Sequence, residues 1–242
     1  RYPGEIKWDI LIRMELLMPL QVFTKEKEIS EADVLRMSKE LVQALELFEE
    51  KGIIHRDIKP ANIFTDNQGN FKIGDFGIAR VWDKVFGDPY KKKIENYMAP
   101  EILQGKEYDH TVDMYSLGLV IYRLLNKNQL PFLSENIFSS SLDMQQVILG
   151  WINERKEVQQ PCNASEKVEK IILKMCAYDP EKRYQKASEI LADLEEIMKS
   201  DEINIIISET LKLEQSTVEE KQDYATTTEA VKKVSGPQIM ED

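Results

Sequence analysis

Two short polar segments constrain this chain more than any other part of its sequence. The first, "HRDIKPAN" at His55–Asn62, places a carboxylate at Asp57 and a carboxamide at Asn62 on either side of a Lys-Pro turn. The second, "GDFG", places Asp75 thirteen residues after Asn62 on a turn flanked by glycines. Asp57 suits a loop that faces a hydroxyl group. Asn62 and Asp75 suit a Mg²⁺ ion that carries nucleotide phosphates, because Mg²⁺ keeps water and takes few protein ligands.

Helical patterns surround these two segments. Apolar residues recur at helical spacing after Ser30, which forms a capping box with Asp33, although Glu or Gln would suit that position better; Gly52 closes the helix. The run "TVDMYSLGLVIYRLLN" from Thr111 is apolar on nearly all sides, which predicts a central helix. The other predicted elements are helices at 142–154, 165–177 and 187–199, a strand at Trp8–Leu17 followed by a turn at Pro19, and a hairpin turn at Asn67–Gly69. The sequence therefore predicts a mainly α (α+β) fold, a helical bundle with small β-hairpins.

The composition argues against several classes of protein. A net charge of -11 disfavours an extended nucleic-acid surface, because phosphate binding needs a clustered excess of Lys and Arg. His55 and His110 are the only histidines, so a multi-histidine metal site is not expected. Cys162 and Cys176 lie far apart in sequence and are interpreted as buried or idle thiols in a reducing cytosol. No apolar run approaches the roughly 18–20 residues of a membrane span. We therefore expect no membrane span in this chain and a cytoplasmic location.

The two polar segments and a third motif occur in an order that is typical of one family. His55–Asn62 is followed by "DFG" at Asp75–Gly77 and "APE" at Ala99–Glu101, an order and spacing that resemble the protein-kinase signature. Over Trp8–Lys199 the chain resembles the C-terminal lobe (C-lobe) of a eukaryotic-like protein kinase. The lysine at position 59 resembles the residue that Ser/Thr kinases have there. The motifs "YMAPE", "DMYSLG" and "AYDPEKRY" resemble those of the bacterial branch of that class. The resemblance divides the chain into a remnant N-lobe strand with the hinge (1–18), the C-lobe (19–199) and an acidic, mostly flexible extension (200–242).

The resemblance implies a protein Ser/Thr kinase that uses ATP and Mg²⁺ and phosphorylates the Ser or Thr hydroxyl group of a protein substrate. Asp57 would orient that hydroxyl group or accept its proton, and Lys59 would neutralise charge on the moving γ-phosphoryl group. Asn62 and Asp75 would hold Mg²⁺. The residues implied to bind ATP are the gatekeeper Met14, the hinge residues Glu15 and Leu17, and Phe64 beneath the base.

Other residues are implied to have structural or regulatory roles. His55 would support Phe76 from beneath, and Arg56 would be a structural cation beside the activation segment. Asp113 would tie the central helix to the catalytic loop. The remaining structural residues are Gly77, which follows Phe76 in the DFG turn, and the ion pair of Glu101 with Arg183.

Two departures from the family pattern leave the activity open. No Gly-rich loop, Val-Ala-Ile-Lys strand or Glu-bearing helix precedes the hinge, so the five-stranded N-lobe is expected to be missing. We therefore expect this chain alone to bind Mg·ATP weakly or not at all, and to self-associate through the surface that such a lobe would cover. In addition, Ile94 stands where the family has a threonine that bridges the catalytic Asp and Lys, and Asp75–Glu101 contains no Ser or Thr. The alternative is a catalytically impaired pseudokinase that acts as a protein-interaction scaffold. The metal-facing groups favour the enzyme, because a scaffold has no physical need for them.

Overall fold

The computed structural model describes residues 13–26, 29–75, 96–133 and 141–200. The chain divides into two compact units, Arg1–Glu195 and Glu196–Asp242. In the second unit the described residues are 196–200, and they are helical. The small sheet and the polar loops both belong to the first unit.

The sheet has three short antiparallel strands in the order β1-β2-β3. They are β1 at Met18–Pro19, β2 at Ile63–Thr65 and β3 at Phe71–Ile73. Met18 lies opposite Thr65 and Pro19 opposite Phe64, while Phe64 in turn lies opposite Lys72. The segment predicted to be the hinge therefore ends beside the strand that carries Phe64.

The strand predicted at Trp8–Leu17 is wrong for the part of it that the structure describes. Residues 13–17 have no regular structure, the strand lies at Met18–Pro19, and helix α1 (Leu20–Glu26) begins directly afterwards. Pro19, predicted to form a turn after that strand, instead belongs to β1 and directly precedes α1. Proline also suits the start of a helix, because its φ is preset and the first helical N–H groups have no intrahelical partner. The rest of the predicted strand, residues 8–12, lies outside the described residues.

The hairpin turn predicted at Asn67–Gly69 is confirmed between β2 and β3. Asp66 organises it, since one carboxylate oxygen accepts the amides of both Gln68 and Asn70, each at 2.9 Å. The Asp66 carbonyl accepts the amide of Gly69 at 3.0 Å, and Gly69 has a φ of 84°. A glycine takes this left-handed conformation without the steric cost that a side chain would bring.

The helix predicted after Ser30 is confirmed as α2 (Glu31–Glu50). The Ser30 hydroxyl accepts the amide of Asp33, and the Asp33 carboxylate accepts the amide of Ser30, so the shorter acid completes the capping box. The chain leaves the helix through Gly52, which has a φ of 63°. The buried side chains of this helix are those of Val34, Leu35, Met37, Ser38, Leu41, Val42, Leu45 and Phe48.

The predicted central helix is confirmed after the short helix α3 (Pro100–Leu103). This helix is α4 (Thr111–Leu124), whose first twelve residues are all buried. A methyl group placed on Gly118 would lie 2.7 Å from the Sγ atom of Cys176 and 2.9 Å from the Cβ atom of Met175. Glycine at this position therefore allows a close approach between α4 and the later segment that contains Met175 and Cys176.

The remaining helices complete the mainly helical fold that the sequence predicts. They are α5 (Ser141–Asn153), α6 (Glu166–Met175) and α7 (187–200). Both cysteines are free thiols; Cys176 is buried, whereas Cys162 is exposed. Among the described residues, no helix has both the length and the apolar character needed to cross a membrane.

Candidate active site

Asp113 fixes the backbone of the loop that carries Asp57. Its two carboxylate oxygens accept the amides of His55 at 2.7 Å and of Arg56 at 2.8 Å. Asp113 lies in the first turn of α4 and is 2% exposed; burial raises the pKa of its carboxyl group, while the two amide hydrogen bonds act in the opposite direction. Arg56 has a φ of 69°, an unfavourable conformation for a side chain other than glycine. The central helix thus holds this loop in a strained conformation.

His55 connects the same loop to the residue that precedes Asp75. Its ring is buried and stacks on Phe48 with the ring centres 6.1 Å apart. The Nδ1 atom accepts the amide of Asp57 at 3.4 Å, so a neutral ring carries its proton on Nε2. Nε2 lies 3.2 Å from the carbonyl oxygen of Gly74, to which it then donates. These contacts give His55 a supporting role between the two loops.

Asp57, Lys59 and Asn62 lie together at the centre of the site. The ammonium group of Lys59 is 3.1 Å from Oδ2 of Asp57, and the amide nitrogen of Asn62 donates to the same oxygen at 3.0 Å. The Asn62 nitrogen also donates to the Asp57 carbonyl at 2.8 Å. Because its nitrogen faces Asp57, Asn62 retains its side-chain oxygen as an acceptor. Asn62 is buried, whereas Asp57 and Lys59 are partly accessible.

Asp75 follows β3 on the second loop. The amide of Gly74 donates to the carbonyl of Asn62 at 2.9 Å, so the two loops are adjacent where they leave the sheet. Asp75 is exposed and has a φ of 60°. A methyl group on Gly74 would lie 3.0 Å from the ring of Phe64, which therefore packs directly against this turn. Three further predicted residues, Phe76, Gly77 and Ile94, lie outside the described residues.

The segment predicted to bind adenine presents an apolar surface. The side chain of Met14 is 79% exposed and that of Leu16 is 92% exposed, while Leu17 is partly buried. Glu15 pairs with Lys72 of β3, whose ammonium group lies 2.8 Å from each of its carboxylate oxygens. This ion pair raises the pKa of Lys72 and ties the segment to the sheet.

Sequence reasoning did not identify Lys72 as the residue that anchors this segment. The hairpin register provides the missing signal, because it places Lys72 opposite Phe64 in the sheet. A residue at that position reaches the segment beside β2. The predicted turn fixes this register, whereas the position of Glu15 beside the sheet is a long-range contact that the turn does not predict.

Glu101 and Arg183 form a buried ion pair that does not include Asp57, Lys59 or Asn62. The guanidinium group donates to both carboxylate oxygens, at 2.6 and 2.9 Å, and the Arg183 side chain is fully buried. Nε of Arg183 also donates to the carbonyl of Ala177 at 2.8 Å, and the guanidinium lies over the ring of Tyr115. The pair links α3 to the segment that follows α6.

Comparison with known proteins places this geometry in a family context. Residues 6–201 match the protein kinase domain family. The chain is 33% identical over 173 residues to a probable serine/threonine-protein kinase of Streptomyces coelicolor, covering 66% of this chain and 24% of that protein. It is 33% identical over 177 residues to a probable serine/threonine-protein kinase of Clostridium perfringens, covering 68% and 24%. It is 28% identical over 204 residues to the serine/threonine-protein kinase PrkC of Bacillus subtilis, covering 83% and 30%. The chain therefore spans about a quarter to a third of the length of these relatives.

Proposed function

This chain belongs to the protein kinase family, of the Ser/Thr type that includes bacterial members, and from that premise we propose that it transfers the γ-phosphoryl group of Mg·ATP to a protein hydroxyl group. The observation that carries the proposal is the arrangement of Asp57, Lys59 and Asn62 around one carboxylate oxygen, on a loop anchored by Asp113. Polar residues that occurred by chance on a solvated loop would not need a buried carboxylate such as that of Asp113 to hold their backbone.

Asp57 is the group that meets the acceptor hydroxyl in this proposal. It is partly accessible, and its carboxylate can accept the hydroxyl proton or orient the oxygen for attack. Lys59, at 3.1 Å, supplies a positive charge beside the site of transfer. The new O–P bond forms at the acceptor oxygen as the bond from the γ-phosphorus to the bridging oxygen breaks, and ADP leaves. Such a transition state is loose, so positioning and charge supply most of the catalysis.

The residues present fit Mg²⁺. Asn62 keeps its side-chain oxygen as an acceptor, and Asp75 offers an exposed carboxylate on the adjacent loop. Among the described residues, no group of three or more His, Cys, Asp and Glu side chains could hold a metal ion. Mg²⁺ is suited to a sparse site of this kind, because it retains waters and shares its remaining ligands with phosphate oxygens. When bound, it would neutralise charge on the phosphates.

A phosphotransfer assay tests this proposal. The protein in its native length is incubated with Mg²⁺, γ-labelled ATP and Ser- and Thr-containing peptides, and label in the peptide is measured. We expect Asp57→Asn to lower the rate by about 10²–10⁴-fold, the range for loss of a general base. Glu50→Gln is the matched control, because it removes one exposed carboxylate on α2 without touching the loop. Equal rates for the wild type and Asp57→Asn would refute the assignment.

A pseudokinase scaffold is the second candidate, favoured by the exposed Met14 and Leu16 side chains. Two exposed apolar side chains separated by a single residue can serve as a docking surface for another protein. The scaffold would show no phosphotransfer and no change of melting temperature with Mg·ATP. Replacing both side chains with Ser would abolish partner binding in a scaffold, whereas in an enzyme it would lower phosphotransfer, because Met14 belongs to the segment predicted to bind adenine.

A further inference from the structure

Arg56 directly precedes Asp57, and its backbone is held in an unusual conformation. Its φ of 69° lies in the left-handed region, which is unfavourable for a residue that has a side chain. Such a conformation persists only where the surrounding structure fixes it. The amide of Arg56 donates to Oδ1 of Asp113 at 2.8 Å, which holds the backbone of the residue. The contacts of its side chain therefore also bear on the orientation of Asp57.

The guanidinium group of Arg56 lies over the ring of Tyr108. The guanidinium carbon is 5.6 Å from the centre of the ring, which is within the range of a cation–π contact. Both residues are half-buried, so solvent only partly weakens the attraction. The contact joins the loop that carries Asp57 to the segment between α3 and α4.

The segment that carries Tyr108 is itself held by hydrogen bonds. Oδ1 of Asp109 accepts the amide of Thr111 at 2.9 Å and its hydroxyl group at 2.6 Å, where the chain enters α4. Nε2 of His110 lies 3.0 Å from the carbonyl oxygen of Gln185. A ring on a segment fixed in this way can restrain a long side chain that packs on it, because little further ordering of the ring is needed.

We propose that Tyr108 is a positioning residue for phosphotransfer: its ring holds the guanidinium group of Arg56 and so maintains the backbone conformation that orients the carboxylate of Asp57. The inference rests on the proposed kinase function and adds a residue to it. Without the ring, Arg56 can relax toward a negative φ, which rotates the peptide that joins it to Asp57. The amide of that peptide donates to Nδ1 of His55 at 3.4 Å, so the rotation also loosens this contact. A displacement of about 1 Å in a reacting group can lower a rate by about a hundredfold.

Replacement of the ring tests this role. Tyr108→Leu removes the aromatic face, whereas Tyr108→Phe keeps the face and removes only the hydroxyl group. The protein in its native length is assayed with Mg²⁺, γ-labelled ATP and a serine-containing peptide, under conditions where urea unfolding shows each variant to be folded. We expect Tyr108→Leu to lower kcat by about two- to thirtyfold, the factor that corresponds to the loss of a cation–π contact.

Two further readouts distinguish positioning from a merely structural role. Tyr108→Phe should stay close to the wild type in kcat, because its ring retains the face on which the guanidinium group lies. In Tyr108→Leu the KM for ATP should change less than kcat, because the ring acts on Asp57 rather than on the residues predicted to bind the nucleotide.

A double-mutant cycle tests whether the ring acts through Arg56. Arg56→Met removes the cation and should lower kcat, and adding Tyr108→Leu should lower it little further, because the contact is already lost. Tyr178→Leu is the matched control, since it removes another half-buried tyrosine ring. The hydroxyl group of Tyr178 accepts the side-chain amide of Gln104 at 2.7 Å, and the variant should keep the wild-type kcat.

The outcomes separate this role from the kinase activity. An unchanged kcat in Tyr108→Leu, or an equal loss in Tyr178→Leu, would overturn the positioning role and leave the proposed function intact. A loss in Tyr108→Phe as large as in Tyr108→Leu would also overturn it, and so would equal effects of Tyr108→Leu in the wild type and in Arg56→Met. If the wild type transfers no phosphate, the proposed function fails. The same cycle measured by urea unfolding then decides the contact: additive losses of unfolding free energy would exclude it, and coupled losses would support it.

Discussion

The carboxylate of Asp113 accepts the backbone amide of His55 at 2.7 Å, although the two residues are 58 positions apart in sequence. This contact places the N-terminal end of the central helix directly beneath the loop that carries Asp57. The second carboxylate oxygen accepts the amide of Arg56, which has a positive φ. The position of Asp57 therefore depends on a helix that carries none of the proposed reacting groups.

Removing this carboxylate should destabilise the fold and displace Asp57. Asp113→Ala leaves the buried amide of His55 and the half-buried amide of Arg56 without an acceptor, which we expect to cost about 2–5 kcal/mol of unfolding free energy. Asp113→Asn retains one oxygen and should cost less. Urea unfolding measures the cost, and phosphotransfer measured under conditions where each variant is folded reports the loss of positioning. Full activity in folded Asp113→Asn with an unchanged KM would show that the loop does not need this anchor.

Removing one partner of the buried ion pair of Glu101 with Arg183 should lower the free energy of unfolding. Arg183→Met leaves the Glu101 carboxylate buried without its partner, which we expect to cost about 3–5 kcal/mol in unfolding free energy. The double variant Glu101→Gln with Arg183→Met should recover part of that loss, because no charge then remains uncompensated.

The control for this pair is the exposed ion pair of Glu166 with Lys170 on α6. Its ammonium and carboxylate groups lie 2.7 Å apart, yet both side chains are more than two-thirds exposed. We expect Glu166→Gln to leave the urea midpoint unchanged, because solvent screens the interaction. Equal losses of unfolding free energy for the buried and exposed pairs would contradict the expectation that burial makes a broken ion pair costly.

Asp66 should titrate at unusually low pH. The Asn70 side chain, then the backbone amides of Asn70 and Gln68, lower the pKa of this carboxyl group from 3.8 to about 2. A lowered pKa in the folded state means that the group contributes stability above its unfolded value, and that this contribution is lost as pH falls from about 4 to about 2. Carbon-detected NMR titration of Asp66 measures the pKa. Asn70→Ala should move it upward, whereas a titration near 3.8 in the wild type would refute the turn geometry.

The sequence predicts most helices of this fold because their signals are local. Ser30 and Asp33 form a cap three residues apart, and the apolar run from Thr111 identifies a buried helix without knowledge of its partners. The segment before α1 carries a weaker local signal. Its apolar residues suit a strand, yet among its described residues only Met18 and Pro19 pair with β2, and that pairing depends on residues 45 and 47 positions later. Such long-range contacts have no local signature.

The candidate site shows the same division. The motifs identify Asp57, Asn62 and Asp75 as candidate functional residues, because their residue types and spacing suit the proposed chemistry. They do not reveal that Lys25 and Arg123 line one cavity, since α1 and α4 are brought together only by the fold. The lining of this cavity is thus a tertiary property that the sequence alone does not determine.

Gly118 offers the sharpest test of packing in the core. A methyl group there would come within 2.7 Å of Sγ of Cys176 and 2.9 Å of Cβ of Met175, so Gly118→Ala must push α4 away from these residues. We expect a loss of about 1–3 kcal/mol in unfolding free energy, the usual cost of overpacking. Adding Cys176→Ala should recover only part of it, because the contact with Met175 remains.

The matched control is Gly150→Ala on α5. Apart from its chain neighbours and the backbone of its own helix, no described atom lies within 4 Å of the methyl group that this change adds, and the residue is helical. Alanine favours the helix over glycine by roughly 0.5–1 kcal/mol, so this variant should be more stable than the wild type in the same urea titration. Both substitutions replace a helical glycine with alanine. The difference between their effects on the unfolding free energy therefore isolates the packing of α4. If Gly118→Ala were also stabilising, α4 would not approach Met175 and Cys176 as closely as the structure shows.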